Sequence, residues 1–402
     1  MSAALVNTII TLIVLAFLVW MMYRPRVQAS VTYKAMVVPL ANIMDVGFLV
    51  LSPIIVVLVG YGAPLVMLGI CLLAIVTGFA ISYNIRNYEP LIGKPDRLHT
   101  WNSVATWALI AASIVNIAYY SQLLSSLVLL PLGDLYTEDR AAILGGIVLG
   151  ILTIVGFTWG LSALNRLGNK TTAFNLSALA AILVAFAVFN VQELLGSDFE
   201  WPEFDTDVDG ETFRKILGLF AMVQGFEAAR YMGAYFGGEK RISTMRMAQG
   251  IATVVFVLLI TFSLLLFVEV KPPPDGTAIF VISKEVSAFL PFLILAAALG
   301  SQLSAIVNAA ESRSEMVVAQ LGKGFGQKWT FPLILVPAIV VGLLTDITSA
   351  VAIASRVFAA YFLVQALIAG QLAWRTRSWS WLALFTFIGF AMAIVAIFGI
   401  PA

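Results

Sequence analysis

The stretch PLANIMDVGFLVLSP, residues 39–53, places Asn42, Asp45 and Gly47 between Pro39 and Pro53 in a run otherwise apolar enough to cross a bilayer. Proline removes a backbone donor and glycine relaxes the dihedral limits, so the pattern predicts a span whose helix breaks near its middle. Broken backbone is tolerated at bilayer depth only where it lines a cavity or meets a ligand. A charged side chain there costs on the order of 3 kcal/mol to insert, which makes Asp45 a candidate contact for a ligand, an ion or a proton. A second stretch answers the first. In FAMVQGFEAARYMG, residues 220–233, Glu227 follows the pair Gly225-Phe226, just as Asp45 precedes Gly47-Phe48.

The rest of the chain is the solvent-averse frame for these two stretches. Hydrophobic residues make up 61% and charged residues 11%, with a mean hydropathy of +0.98, against about 25% charged in soluble domains. Apolar runs near the length needed to cross about 30 Å of hydrocarbon recur throughout, and the alternating strands of a membrane barrel are missing. The expected fold class is an all-α polytopic membrane protein with about twelve spans: 3–23, 35–60, 64–85, 104–130, 141–162, 171–196, 214–237, 247–270, 286–312, 329–344, 348–373 and 379–400. Span 3–23 has neither the basic leading segment nor the small-residue cleavage pattern of a signal peptide, so it reads as a membrane helix. A net charge of +1 without a basic, aromatic-interleaved run excludes nucleic acid as a partner. The single cysteine, Cys71, reads as packing, and the single histidine, His99, as a solvated loop residue. No cofactor and no metal site are expected, since no cluster of soft ligands appears.

Charge orients the spans. Of the 23 Lys and Arg, Arg230 and Arg356 fall inside spans; five (Arg140, Arg214, Lys215, Lys271, Lys284) lie in one set of loops and sixteen in the other. The positive-inside rule places the richer set in the cytoplasm, and both termini on the non-cytoplasmic side of a bacterial-type inner (plasma) membrane. The acidic segment 197–211 then lies outside, as a solvated loop or a cation-concentrating vestibule. Segment 1–34 carries an extra helix and linker, and 379–402 another extra helix. Between them stand two blocks of five spans, 35–196 and 214–373. An odd block must return inverted, as in transporters built from inverted repeats, and matching interruptions in the two halves point to a midplane binding site.

Polar residues elsewhere extend the candidate site. Glu227 and Arg230 are three apart, a spacing that allows pairing along one helix face, and Arg356 is a candidate counter-charge for either acid. Asn116, Tyr119 and Tyr120 belong to the third core helix. Ser301, Ser304 and Asn308 share one face of the eighth, where hydroxyls plus freed carbonyls suit a hard cation such as Na+ or K+; interhelical hydrogen bonding is the competing reading.

The segment LFAMVQGFEAARYMGAYFGGEKRISTMRMAQ, residues 219–249, resembles the sixth helix and following loop of the amino acid–polyamine–organocation (APC) superfamily, and MDVGFLVLSP, residues 44–53, looks like a divergent form of its glycine-rich first helix. The resemblance spans about 35–373. It implies the LeuT-type 5+5 inverted-repeat bundle, with substrate held between the first and sixth core helices. The substrate-binding residues it implies are Asn42, Asp45, Gly47, Tyr119, Tyr120, Ala221, Gln224, Gly225 and Glu227, and the coupling-ion residues are Ala41, Ser301, Ser304 and Asn308. Asp45 stands about where another glycine is expected. A carboxylate at that position repels a substrate carboxylate and attracts an amine or a cation. The Asp-x-Gly order also resembles potassium-uptake permeases and Nramp metal transporters, although Nramp proteins continue with Asn where this chain has Phe48, and a methionine ligand from the sixth helix could only be Met222.

These readings lead to a secondary active transporter for a small amine, amino acid or related organic solute, working by alternating access and coupled to sodium or protons. An inorganic cation transporter, chiefly for potassium, is the alternative, and a non-transporting membrane solute sensor is a third. Enzymatic activity is not expected, because no nucleophile–base constellation is present. The lipid bilayer is the expected partner, and homo-oligomerisation stays open.

Overall fold

The computed structural model describes residues 3–45, 47–196, 201, 203–204, 206, 208–267, 278–322 and 324–402, and among them no strand occurs. The first half of the chain forms α1 (Ala3–Met22), α2 (Pro25–Ala29), α3 (Val31–Ile43), α4 (Gly47–Val59), α5 (Ala63–Asn87), α6 (Leu98–Leu129), α7 (Glu138–Trp159) and α8 (Ser162–Leu194). The second half forms α9 (Gly210–Gly218), α10 (Ala228–Tyr231), α11 (Gly238–Ser263), α12 (Ala278–Val286), α13 (Leu290–Leu321), α14 (Thr330–Leu344), α15 (Ile347–Arg375) and α16 (Trp379–Phe398).

Local chemistry sets several of these limits. Side-chain oxygens cap helix starts: Thr137 accepts from the Arg140 N–H at α7, Asp209 from Thr212 at α9 and Asp346 from Ser349 at α15. α13 stops at Gly322, whose φ of 91° only glycine adopts cheaply. Ten helical segments among the described residues are long and apolar enough to span a membrane. The two predicted spans missing from that set, 35–60 and 214–237, are the ones expected to break, and both are divided: one into α3 and α4, the other into α9, a 3-10 turn (Phe220–Val223) and α10. Neither span forms one continuous helix.

Helices in corresponding positions of the two blocks pack on one another: α5 on α11, α6 on α13 and α7 on α14. Around them α15 lies against α6 and α8 against α13, while the two extra helices each cover the fifth helix of a block, α1 on α8 and α16 on α15. One large apolar core fills the bundle. Phe226, beside the second break, stacks on Phe362 of α15 at 5.1 Å between ring centroids, which seats the break against that helix. Several span limits move, those of α8 and α11 among them. α13 runs to Leu321, well past the expected 312, and α6 begins at Leu98 rather than 104, so both rise above the apolar layer on polar turns. Lys271, Lys323 and much of the acidic segment 197–211 lie outside the described residues.

Candidate functional site

α3 ends where the Met44 N–H returns to the Leu40 carbonyl, and α4 starts at Gly47, leaving Asp45 in the gap with 8% of its surface exposed. Two neutral groups reach it from other helices. Gln302 of α13 donates through Nε2 to Asp45 Oδ1 at 3.1 Å, and the Tyr120 hydroxyl of α6 hydrogen-bonds to the same carboxyl group. Tyr119, its neighbour, is near enough for the Asp45 charge to act on it. The structure thus brings Tyr119 and Tyr120 beside Asp45, together with Gln302.

The second break meets the first directly. Gly225 has φ 110°, and a Cβ built on it would stand 2.5 Å from the Asn42 carbonyl carbon and 2.7 Å from its oxygen. Only glycine permits both that dihedral and that approach. The freed backbone finds partners: Ser355 of α15 accepts from the Ala221 N–H at 2.7 Å and donates to the Gly218 carbonyl at 2.6 Å. Glu227, 3% exposed, accepts the Gly225 N–H on Oε2 at 2.8 Å. Its carboxyl group thus closes the turn that breaks its own helix.

The expected charge network of Glu227, Arg230 and Arg356 is not brought together. α10 has only four residues, with Glu227 at its N-cap, so the regular side-by-side geometry of a three-residue spacing is never established. Arg230 instead donates to Asn102 Oδ1 of α6 at 2.7 Å and lies over the Tyr88 ring. The cation that acts on Glu227 is Arg313 of α13, and Arg356 donates to the Gly399 carbonyl at 2.5 Å. On α13, Asn308 donates to Ser304 Oγ at 3.2 Å, while Ser301 is buried one residue before Gln302. Ala41 lies in the last turn of α3, beside Asn42.

Several buried polar atoms near the breaks have no hydrogen-bond partner: both amide atoms of Gln224, Gln302 Oε1 and the Tyr119 hydroxyl, with Asn308 Oδ1 further along α13. A buried polar atom left unpaired costs about 1–3 kcal/mol, so an accumulation of them beside two broken helices marks a place suited to a polar ligand.

A cavity of about 560 Å³ opens at the end of the bundle carrying the 88–98 loop, lined in part by Tyr88, Lys94, His99, Asn102, Ser103 and Gln320. Its wall residues Tyr88 and Asn102 are the ones that hold Arg230, so cavity and second break share a boundary. His99 belongs to that wall and is not merely solvated: Nδ1 bonds the Tyr88 hydroxyl at 2.9 Å and Nε2 the Lys94 carbonyl at 2.6 Å. Arg241 of α11 anchors the same end. It grips both Glu89 oxygens and donates to the Arg230 carbonyl at 2.7 Å, tying α10 to the end of α5.

Comparison with known proteins agrees with this architecture. A family model described as an APC superfamily transporter matches residues 25–399, and the chain belongs to that superfamily. An uncharacterized protein of Aquifex aeolicus (strain VF5) is 25% identical over 393 residues, covering 96% of this chain and 95% of that protein. The solved structure of a Na+-coupled sialic acid symporter, in its substrate-bound outward-open state, superposes with a TM-score of 0.50 at 13% identity over 98% of both chains. At that identity the likeness concerns the fold, a LeuT-type bundle of two five-helix repeats. The chain is an integral membrane transporter of this class.

Proposed function

We propose that the protein is a secondary active transporter that moves a small amine, amino acid or related organic solute by alternating access, coupled to sodium or protons. The observation that carries this reading is the meeting of the two breaks: Gly225 packs on the Asn42 backbone, and Asp45, beside that contact, is held by α6 and α13. Two discontinuous helices that meet at mid-bilayer can rearrange against flanking helices without exposing unpaired backbone to lipid. Asp45 favours an amine over a carboxylate on the solute. Asn42, Gly47, Tyr119, Tyr120, Ala221, Gln224, Gly225 and Glu227 complete the proposed solute site, and Ala41, Ser301, Ser304 and Asn308 the proposed ion site. Residues 35–196 and 214–373 are the two repeats in this reading. The end with the 560 Å³ cavity faces the cytoplasm of a bacterial-type inner membrane.

Reconstitution into liposomes tests the proposal. Uptake of a labelled amine or amino acid down an imposed sodium or proton gradient, lost in Asp45→Asn, is the expected result. Uptake of potassium or rubidium alone, unaffected by organic amines, points to the inorganic-cation reading. Binding without any uptake points to a sensor.

A further inference from the structure

We propose that Asp45 and Gln302 form an acid–amide pair that binds a proton, and that this proton is the coupling ion. The inference deepens the transport reading above and rests on it. Gln302 is wholly buried, with 0% of its surface exposed; its Nε2 donates to Asp45 Oδ1, while its Oε1 has no partner. A carboxamide carries its acceptor beside its syn N–H in one plane, so an amide that donates to one carboxyl oxygen through that hydrogen aims its acceptor at the other. An ionised carboxylate only accepts hydrogen bonds, whereas the acid form offers one O–H. A proton taken from solution onto Asp45 Oδ2 therefore donates to Gln302 Oε1, while the Nε2–H bond to Oδ1 persists. Two parallel bonds then close a ring and the orphaned acceptor is satisfied. Release reverses the step: the proton returns to solution and nothing is oxidised or reduced.

The surroundings suit both states. From α6, the Tyr120 hydroxyl can donate to the carboxylate or accept from the acid, and Tyr119 stands beside it. Glu227 of the second break acts on Tyr120 as well, and Arg313 acts on Glu227. Glu227 already receives the Gly225 N–H within its own turn. A lysine or arginine in place of Gln302 would hold Asp45 ionised; a neutral amide leaves it switchable. Protonation also replaces one charge-assisted bond between the first break and α13 with two neutral ones, so the contact differs between the two states.

Infrared difference spectroscopy on the purified full-length protein tests this without a known solute. Spectra are compared across acidification from about pH 9 to about pH 4, a window wide enough for a carboxyl group shifted upward by burial. A carboxylic-acid carbonyl band is expected to appear, to vanish in Asp45→Asn and to move in Asp45→Glu, a variant that keeps the acid if the asparagine variant misfolds. In Gln302→Leu the band is expected to shift to higher frequency, as for an acid that has lost its hydrogen-bonded ring. A band unaffected by either Asp45 substitution overturns the proposal, and so does one that ignores Gln302→Leu. A carboxylate band that responds to added sodium at constant pH, with no acid band, overturns it in favour of sodium. All three results leave the solute site itself open to the Asp45→Asn transport test, so the two failures are distinguishable.

Discussion

Gly225 and Asn42 touch through their backbones, so the interruption of one broken helix is seated on the last turn of the other. Neither residue is charged, yet this contact fixes where Asp45 and Glu227 stand. Gly225→Ala must leave φ 110° and push Asn42 away. Strain alone costs about 1–3 kcal/mol, and the steric overlap adds to it. The expected outcome is a clear fall in melting temperature together with loss of solute binding; a variant with unchanged melting and binding would show that the two breaks do not need this contact.

Arg230 belongs with Asn102 rather than Glu227. A double-mutant cycle on thermal stability, using Arg230→Gln with Asn102→Leu, is expected to give a coupling of about 0.5–3 kcal/mol, the range for contacting residues. The cycle of Arg230→Gln with Glu227→Gln is expected to give much less, and exchange of the two charges is not expected to restore activity.

These two cases also mark how far the sequence reaches. The breaks are legible because a glycine beside an acid rarely suits an unbroken apolar helix, and the combination recurs in both halves. Arg230 is misplaced by the three-residue rule, which presumes a regular helix; the break that makes the stretch conspicuous is what abolishes that regularity. Arg313 falls in a predicted loop because α13 outlasts its apolar stretch. Gln302 gives no signal of its own: a neutral amide between Ser301 and Ser304 is ordinary in a membrane helix, and only its placement against Asp45 gives it meaning.

The Arg241–Glu89 pair holds α10 to the end of α5, with the arginine side chain 4% and the glutamate 25% exposed. Glu89→Ala leaves a buried guanidinium without its anion. A loss of roughly 3 kcal/mol is expected, read as a lower melting temperature. Replacing the exposed Glu239, which pairs with Arg86, by alanine is expected to cost under about 1 kcal/mol.

In the 88–98 loop, hydrogen bonds from Arg375, and then from the Leu98 N–H, hold the Asp96 carboxyl at about 2, below its ordinary 3.8. A depressed folded-state value means that this contribution is fully present above the unfolded pKa and is lost as pH falls through the folded one. Between about pH 4 and about pH 2 the wild-type protein is thus expected to lose stability more steeply than Asp96→Asn. Parallel curves for the two proteins would place the acid sensitivity elsewhere.

The most direct test of the central claim, that Asp45 belongs to a solute site at the meeting of the two breaks, is ligand-dependent melting of the wild type and Asp45→Asn in detergent. Amino acids, polyamines and monovalent cations serve as ligands, each with and without sodium. A ligand at about 100 times its dissociation constant stabilises by about 2.7 kcal/mol, a readable shift. An organic amine or amino acid is expected to raise the melting temperature of the wild type and leave Asp45→Asn unmoved. An equal rise in both proteins would contradict the assignment.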